Sequence, residues 1–112
     1  MVLLLAKGYR PRHRNWRGAG GEIDLVMQRN GTTVFVEVKA RSGREFGGAG
    51  EALNTKKQQI LTRAASAYLG TFGLWEEPCR YDLVTVQRVG GLFPWRIRHF
   101  RDVFQPNLGR QF

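Results

Sequence analysis

Two short segments of the chain alternate between apolar and polar positions. From Glu22 to Gln28, Ile23, Leu25 and Met27 fall at every second residue, and from Thr33 to Lys39 the valines Val34, Val36 and Val38 alternate with Phe35 and charged residues. Strand side chains point to opposite faces with period two, so both segments are predicted strands. Between them lies Asn30-Gly31. A two-residue type I′ turn needs φ > 0 at both central positions, which Asn and Gly tolerate best, and the segments should fold back as an antiparallel hairpin. Further along the period changes. Leu53, Ile60, Leu61, Ala64, Ala65 and Tyr68 recur at helical spacing and predict a helix over 51–69, ended by Gly70. Alternation returns over about Arg80–Arg88 and, past Gly90-Gly91, over about Trp95–Arg101. A strand, a helix of this length and another strand favour a right-handed crossover that leaves the two strands parallel. The expected fold is α/β in one domain: a mixed four-stranded sheet of hairpin, parallel strand and edge strand, flanked by helices.

The segments outside this pattern are polar or basic. Arg10, Arg12, His13, Arg14 and Arg17 crowd between Tyr9 and the glycines at 18, 20 and 21, with Trp16 among them. Arginines interleaved with aromatics suit phosphate contact plus stacking, and equally a solvated basic edge. The glycines allow a close approach to the next strand. A loop rich in glycine and charge follows over 42–50, and the tail from Gln105 is polar.

Charge sharpens the first of these readings. The 112 residues carry a net charge of +9, with 14 Arg against 4 Lys. Such a surplus favours polyanions by counterion release, and the planar guanidinium matches phosphate oxygens. Nucleic acid is the expected partner. The longest apolar stretch, Val2 to Ala6, is too short for a signal-peptide core or a membrane span, so a cytoplasmic protein without membrane contact is expected. The lone Cys79 excludes an internal disulfide and fits a reducing compartment.

The hairpin carries the chemistry. With Asn30-Gly31 as the loop, Arg29 pairs with Thr32, and counting back along both strands sets Asp24 opposite Glu37 and Glu22 opposite Lys39, all on one face unless a bulge intervenes. Facing carboxylates repel, so a cation is expected between them. Mg²⁺ (or Mn²⁺) fits, because one or two carboxylates hold it while water and substrate phosphate fill the other positions. Lys39 beside this site offers a charge for orienting a nucleophile or stabilising a transition-state oxygen. Glu22 is either a third acidic ligand or the ion-pair partner of Lys39. Lys57 falls in the middle of the helix's apolar stripe and faces the sheet, either snorkelling at the core edge or reaching toward a phosphate. His13 and His99 lack ligands at metal-like spacing, Asp82 beside Arg80 reads as a structural ion pair, and the glycines at 47, 48 and 50 do not form a P-loop.

These residues also resemble a known family. Asn15-Trp16-Arg17, Gly21-Glu22-Ile23-Asp24-Leu25-Val26 and Val34-Phe35-Val36-Glu37-Val38-Lys39-Ala40-Arg41 look like the YraN-type bacterial proteins, which are similar to Holliday-junction resolvases and other PD-(D/E)xK nucleases. The likeness continues through Phe46-Gly47, Lys57, Ala64-Ala65, Tyr68-Leu69 and Arg80-Tyr81-Asp82. It implies a restriction-endonuclease-like three-layer domain in which Asp24, Glu37 and Lys39 match the nuclease motif and Glu22 is the additional acid typical of the family. Ile23 stands where the superfamily motif has proline. Met1 falls after the Gly-Glu that heads the family's first helix, which suggests a shortened helix.

The expected activity is metal-dependent hydrolysis of phosphodiester bonds in DNA, branched or damaged DNA included, with Asp24, Glu37, Lys39, Glu22 and Lys57 at the site and Arg10, Arg12, Arg14, Arg17 and Arg41 on phosphates. By analogy with resolvases, which cut two symmetric positions, a homodimer is the matching assembly. Two competing readings are a non-catalytic nucleic-acid-binding module and a protein-interaction domain on the same fold.

Overall fold

The computed structural model describes residues 2–42, 53–92 and 94–106. The glycine-rich loop over 43–50, the expected first residues of the long helix, the tail beyond 106 and the Arg41 side chain lie outside that description. The described elements are α1 (Val2–Ala6), β1 (Arg10–Gly18), β2 (Gly21–Arg29), β3 (Thr32–Ser42), α2 (Thr55–Thr71), β4 (Cys79–Arg88) and β5 (Trp95–Phe104). The strands form one mixed sheet in sequence order, antiparallel except where β3 runs parallel to β4 across the α2 connection.

The hairpin forms as its turn chemistry dictates. Asn30 and Gly31 sit at φ 50° and 79°, and Arg29 pairs with Thr32, Met27 with Val34 and Leu25 with Val36. The sheet has five strands rather than four, because the basic segment at Arg10–Gly18 is itself an edge strand. Its sequence hides this. Arg10, Pro11, Arg12, Arg14 and Arg17 are exposed, a bulge interrupts pairing between Pro11 and His13, and Asn15 takes a left-handed φ of 51°. Both irregularities break the period-two pattern. His13 and Trp16, three residues apart, consequently both reach Tyr68 on α2.

The α2 helix starts at Asn54, whose Oδ1 accepts the Lys57 backbone N–H at 2.9 Å, as an N-cap does. It runs through Gly70 rather than ending there. The left-handed residue is Gly73 (φ 66°), where the Leu74 N–H bonds to the Leu69 carbonyl at 2.9 Å and closes the helix end. Midway along its length α2 lies so close to β2 that a Cβ on Gly21 would meet Ile60 and Ala64 at 3.1–3.3 Å. Glycine is needed there for the approach.

Each sheet face carries its own core. Ile23, Val26, Phe35, Tyr81 and Leu83 pack against Leu61, Ala64, Ala65, Tyr68 and Leu69 of α2. On the opposite face Leu25, Met27, Val34, Val36 and Val84 pack with Leu4 of α1 and Tyr9. The central strands are thus covered on both sides, and burial of this apolar area is the main stabilising contribution.

Candidate functional site

The ladder between β2 and β3 stops at Leu25–Val36, while β3 stays paired with β4 as far as Ser42. The two strands of the hairpin therefore fork, and Asp24 sits at the fork. Its Oδ2 accepts the Val38 backbone N–H at 2.8 Å, so a side chain supplies the acceptor just beyond the point where the ladder stops. Asn15, opposite Asp24 in the β1–β2 ribbon, is the residue with left-handed φ. At this kink the faces exchange: Ile23 and Val26 both lie in the core under α2, whereas Leu25 lies in the other. Parity along β2 consequently fails at Asp24, and the simple shared-face count along the hairpin does not carry past Leu25.

Glu37 emerges from β3 on the α2 side with its side chain 10% exposed, and Lys57 of α2 approaches it, Nζ to Oε1, at 3.4 Å. Burial pushes the Glu37 carboxyl above its ordinary range and the charge of Asp24 pushes it further. Lys57, by charge and hydrogen bond, and Lys39, by charge, pull it back without cancelling the rise. Asp24, Glu37, Lys39 and Lys57 thus form one electrostatic group at the fork. Lys57 gets there because the Asn54 cap fixes the helix start, and so the rotation that turns this position toward the sheet. Lys39 is exposed two residues beyond Glu37.

Other expected residues are placed elsewhere. Glu22 pairs with Arg17 across the β1–β2 ribbon at 3.7 Å, rather than with Lys39. Since their neighbours Trp16 and Ile23 face α2, alternation turns Arg17 and Glu22 to the opposite side. The β1 arginines are divided among different partners. Arg12 donates to Gln28 Oε1 at 3.1 Å, Arg14 lines a shallow groove with Asn15, Asp24, Leu25 and Val38, and Arg10 lines another with Gln28 and Arg29. Among the described residues no group of three His, Cys, Asp or Glu stands together as a metal cage. The donor set at the fork is two carboxylates, which suits a hard cation that keeps much of its water.

A second polar cluster, on the other sheet face, was legible only in part. Asp82 is fully buried and accepts from Arg80 Nε at 2.9 Å, His99 Nε2 at 2.7 Å and the Asp102 backbone N–H at 2.9 Å. The Arg80 pairing follows from its place two residues away. His99 joins through the β4–β5 register, for which the sequence holds no local signal. Burial works to raise the Asp82 carboxyl, but the hydrogen bonds from Arg80, Asp102 and His99 and the Arg80 charge overcome it and hold the group below its ordinary range.

The fold is an α/β domain with a five-stranded mixed sheet between helices, an arrangement compatible with a restriction-endonuclease-like architecture. Residues 1–86 match the uncharacterised protein family UPF0102. The chain belongs to that family. It is 51% identical to a UPF0102 protein of Symbiobacterium thermophilum over 84 residues, 75% of this chain and 71% of that one. A UPF0102 protein of Pseudomonas paraeruginosa is 39% identical over 102 residues, 90% of this chain and 82% of that one. A third, from Oleidesulfovibrio alaskensis, is 46% identical over 83 residues, 74% of this chain but 41% of its own length. Among the described residues no helix is long and apolar enough to cross a membrane.

Proposed function

We propose that this protein is a metal-dependent phosphodiesterase acting on DNA, with its reacting centre at the fork between β2 and β3. The observation that carries the reading is Glu37: a buried carboxylate kept next to the like charge of Asp24, with two lysines beside it. A pair of acids placed for stability alone would avoid this arrangement, and a buried carboxyl whose pKa is raised by burial and a like-charged neighbour is a mark of functional sites. Asp24 and Glu37 would hold Mg²⁺ or Mn²⁺. When bound, such an ion supplies Lewis-acid polarisation of the scissile phosphate. Lys39, exposed at the same place, offers its ammonium to the negative charge that builds on the phosphate oxygens. Lys57 offsets the Glu37 charge and keeps that carboxylate turned toward the fork. The Val38 N–H fixes one oxygen of Asp24, so its orientation is set before any ligand arrives.

The Lys57–Glu37 contact supports a second reading, a nucleic-acid-binding module in which that ion pair is purely structural. A cleavage screen with Mg²⁺ or Mn²⁺ over single-stranded, duplex, flapped and four-way DNA decides between them. Metal-dependent cleavage that disappears in Asp24→Asn is the expected result. Binding without cleavage of any substrate overturns the nuclease reading in favour of the module.

A further inference from the structure

The β3–β4–β5 part of the sheet continues outward past the core, and its two faces differ. On the face shared with α2, Glu37 stands on a rung with Leu83 and Phe100, both packed in the core under α2. One rung outward the register aligns Lys39, Thr85 and Arg98. The next rung outward aligns Gln87 and Arg96, with Arg41 at the matching β3 position. Alternation along each strand turns Lys39, Thr85, Arg98 and Arg96 to the same face as Glu37. Lys39, Arg96 and Arg98 are exposed, and among the described residues neither arginine forms an ion pair. An acid occupies none of these outer positions.

Strand spacing sets the dimensions. Lys39 and Arg98 are two strands apart, about 10 Å, and Arg98 and Arg96 are two residues apart along β5, about 7 Å. The second distance matches the separation of successive phosphates along a nucleic-acid strand. Arginines that form no ion pair among the described residues, in a row that starts beside a phosphodiesterase-type cluster, meet the requirement for a backbone path: cations at phosphate spacing, with no carboxylate on these outer rungs to repel the next phosphate. The β1 arginines fit it less well, being divided among Glu22, Gln28 and two separate grooves. β5 also lies beyond residue 86, where the family match ends.

We infer that Arg96 and Arg98 on β5 bind the phosphate backbone of the nucleic acid strand as it leaves the fork, making the α2-facing surface of the β3–β5 arm the substrate track. The inference rests on the proposed nuclease reading and assigns the substrate contacts of that same site. An acidic protein surface would also meet these cations, but it offers no repeat matched to the Arg98–Arg96 spacing.

The test is binding of single-stranded and duplex DNA to the full chain in EDTA, where no cleavage occurs, over a range of salt concentrations. Replacing both Arg96 and Arg98 with Ala should weaken binding at least tenfold at low salt and lower the slope of log K against log salt by about 1.4 to 1.8 units. Arg96→Lys with Arg98→Lys should restore most of the slope, because the charge remains. Both positions are exposed, and unchanged thermal melting of the variants checks that folding is intact. An unchanged slope in the Ala variant of a protein that binds DNA overturns the track while leaving the nuclease reading in place. Failure of the parent protein to bind any DNA overturns both.

Discussion

Asp82 and Glu37 are acids on adjacent, parallel strands, one register position apart, and they lie on opposite faces of the sheet. Both are buried. Their surroundings are opposed. Asp82 receives donors from Arg80, His99 and the Asp102 backbone, and its carboxyl is held below the ordinary range. Glu37 has a long contact to Lys57, a like charge in Asp24, and a carboxyl pushed above the ordinary range. The first charge is fully satisfied by the protein and, through Arg80, Tyr9, His99 and Lys7, ties β4 and β5 to the segment that links α1 to β1. The second is held under electrostatic stress. The same residue chemistry thus gives a satisfied scaffold charge where donors converge and, at the proposed site, a carboxylate whose burial and like-charged neighbour outweigh its donors.

The largest expected difference between the two is in activity. Asp24→Asn should abolish metal-dependent cleavage while leaving DNA binding in EDTA equal or tighter, since the amide removes repulsion at nearly constant shape. Lys39→Ala should lower cleavage by about 10²-fold or more with metal affinity equal or higher. Parent-like cleavage by both variants would place any activity elsewhere.

Next in size is the scaffold. Asp82→Ala leaves the Arg80 guanidinium, His99 and a backbone N–H without their acceptor, and should cost about 3–5 kcal/mol. Thermal melting should fall by more than about 10 °C. A drop no larger than that of Glu22→Ala would show that the Asp82 network is not what joins β5 to the sheet.

Metal should then act on one acid and not the other. If the fork holds Mg²⁺, the ion stabilises the folded state by up to about 2.7 kcal/mol at a hundredfold excess over Kd. Melting in Mg²⁺ against EDTA should shift upward in the parent and in Glu22→Ala, and shift much less in Asp24→Asn.

The smallest effect is in pH dependence, and the signs are opposite. The folded Glu37 carboxyl lies above its ordinary value near 4.5, so its ionisation opposes folding as pH rises through that window and remains a cost at neutral pH. Glu37→Gln should therefore raise stability at pH 7, and the gain should vanish as the pH falls below the ordinary value near 4.5. Asp82, held below its ordinary value near 3.8, contributes stability that is present above that value and lost as pH falls through the folded one. The deficit of Asp82→Asn should accordingly shrink in acid. Denaturant titrations at pH 7 and pH 3 on both variants measure these slopes.

Much of this contrast was legible in the sequence, for reasons that differ by residue. Asn30-Gly31 sets the hairpin register because few other dipeptides hold two positive φ angles. The position of Lys57 in the apolar stripe of α2 brings it to the sheet, and the Asn54 cap completes the argument. The fork was hidden, because Asn15 reads as an ordinary polar residue and only the folded backbone shows its left-handed turn. β1 was hidden for the same reason, with its alternation broken by a bulge and by exposed arginines on both sides. Gly70 misled as a helix end, since an exposed helical glycine is tolerated at modest cost while Gly73 does the capping. The roles of His99, Arg96 and Arg98 depend on the β4–β5 register, which a single chain does not announce.

The parallel β3–β4 pairing has a consequence for how the chain folds. β1, β2 and β3 form a meander of short loops, so their contacts are local and close early, whereas β4 joins only after the chain has travelled across α2. Loop closure must precede any gain from that pairing, which makes it the slow event. The fork at Asp24 belongs to the early meander, and the burial of Asp82 belongs to the late docking. Substitutions at Asp82 should therefore act mainly on the unfolding rate, and a chain paused before β4 docks would expose Val34, Val36 and Phe35 along an open strand edge, the segment most prone to associate with a second copy.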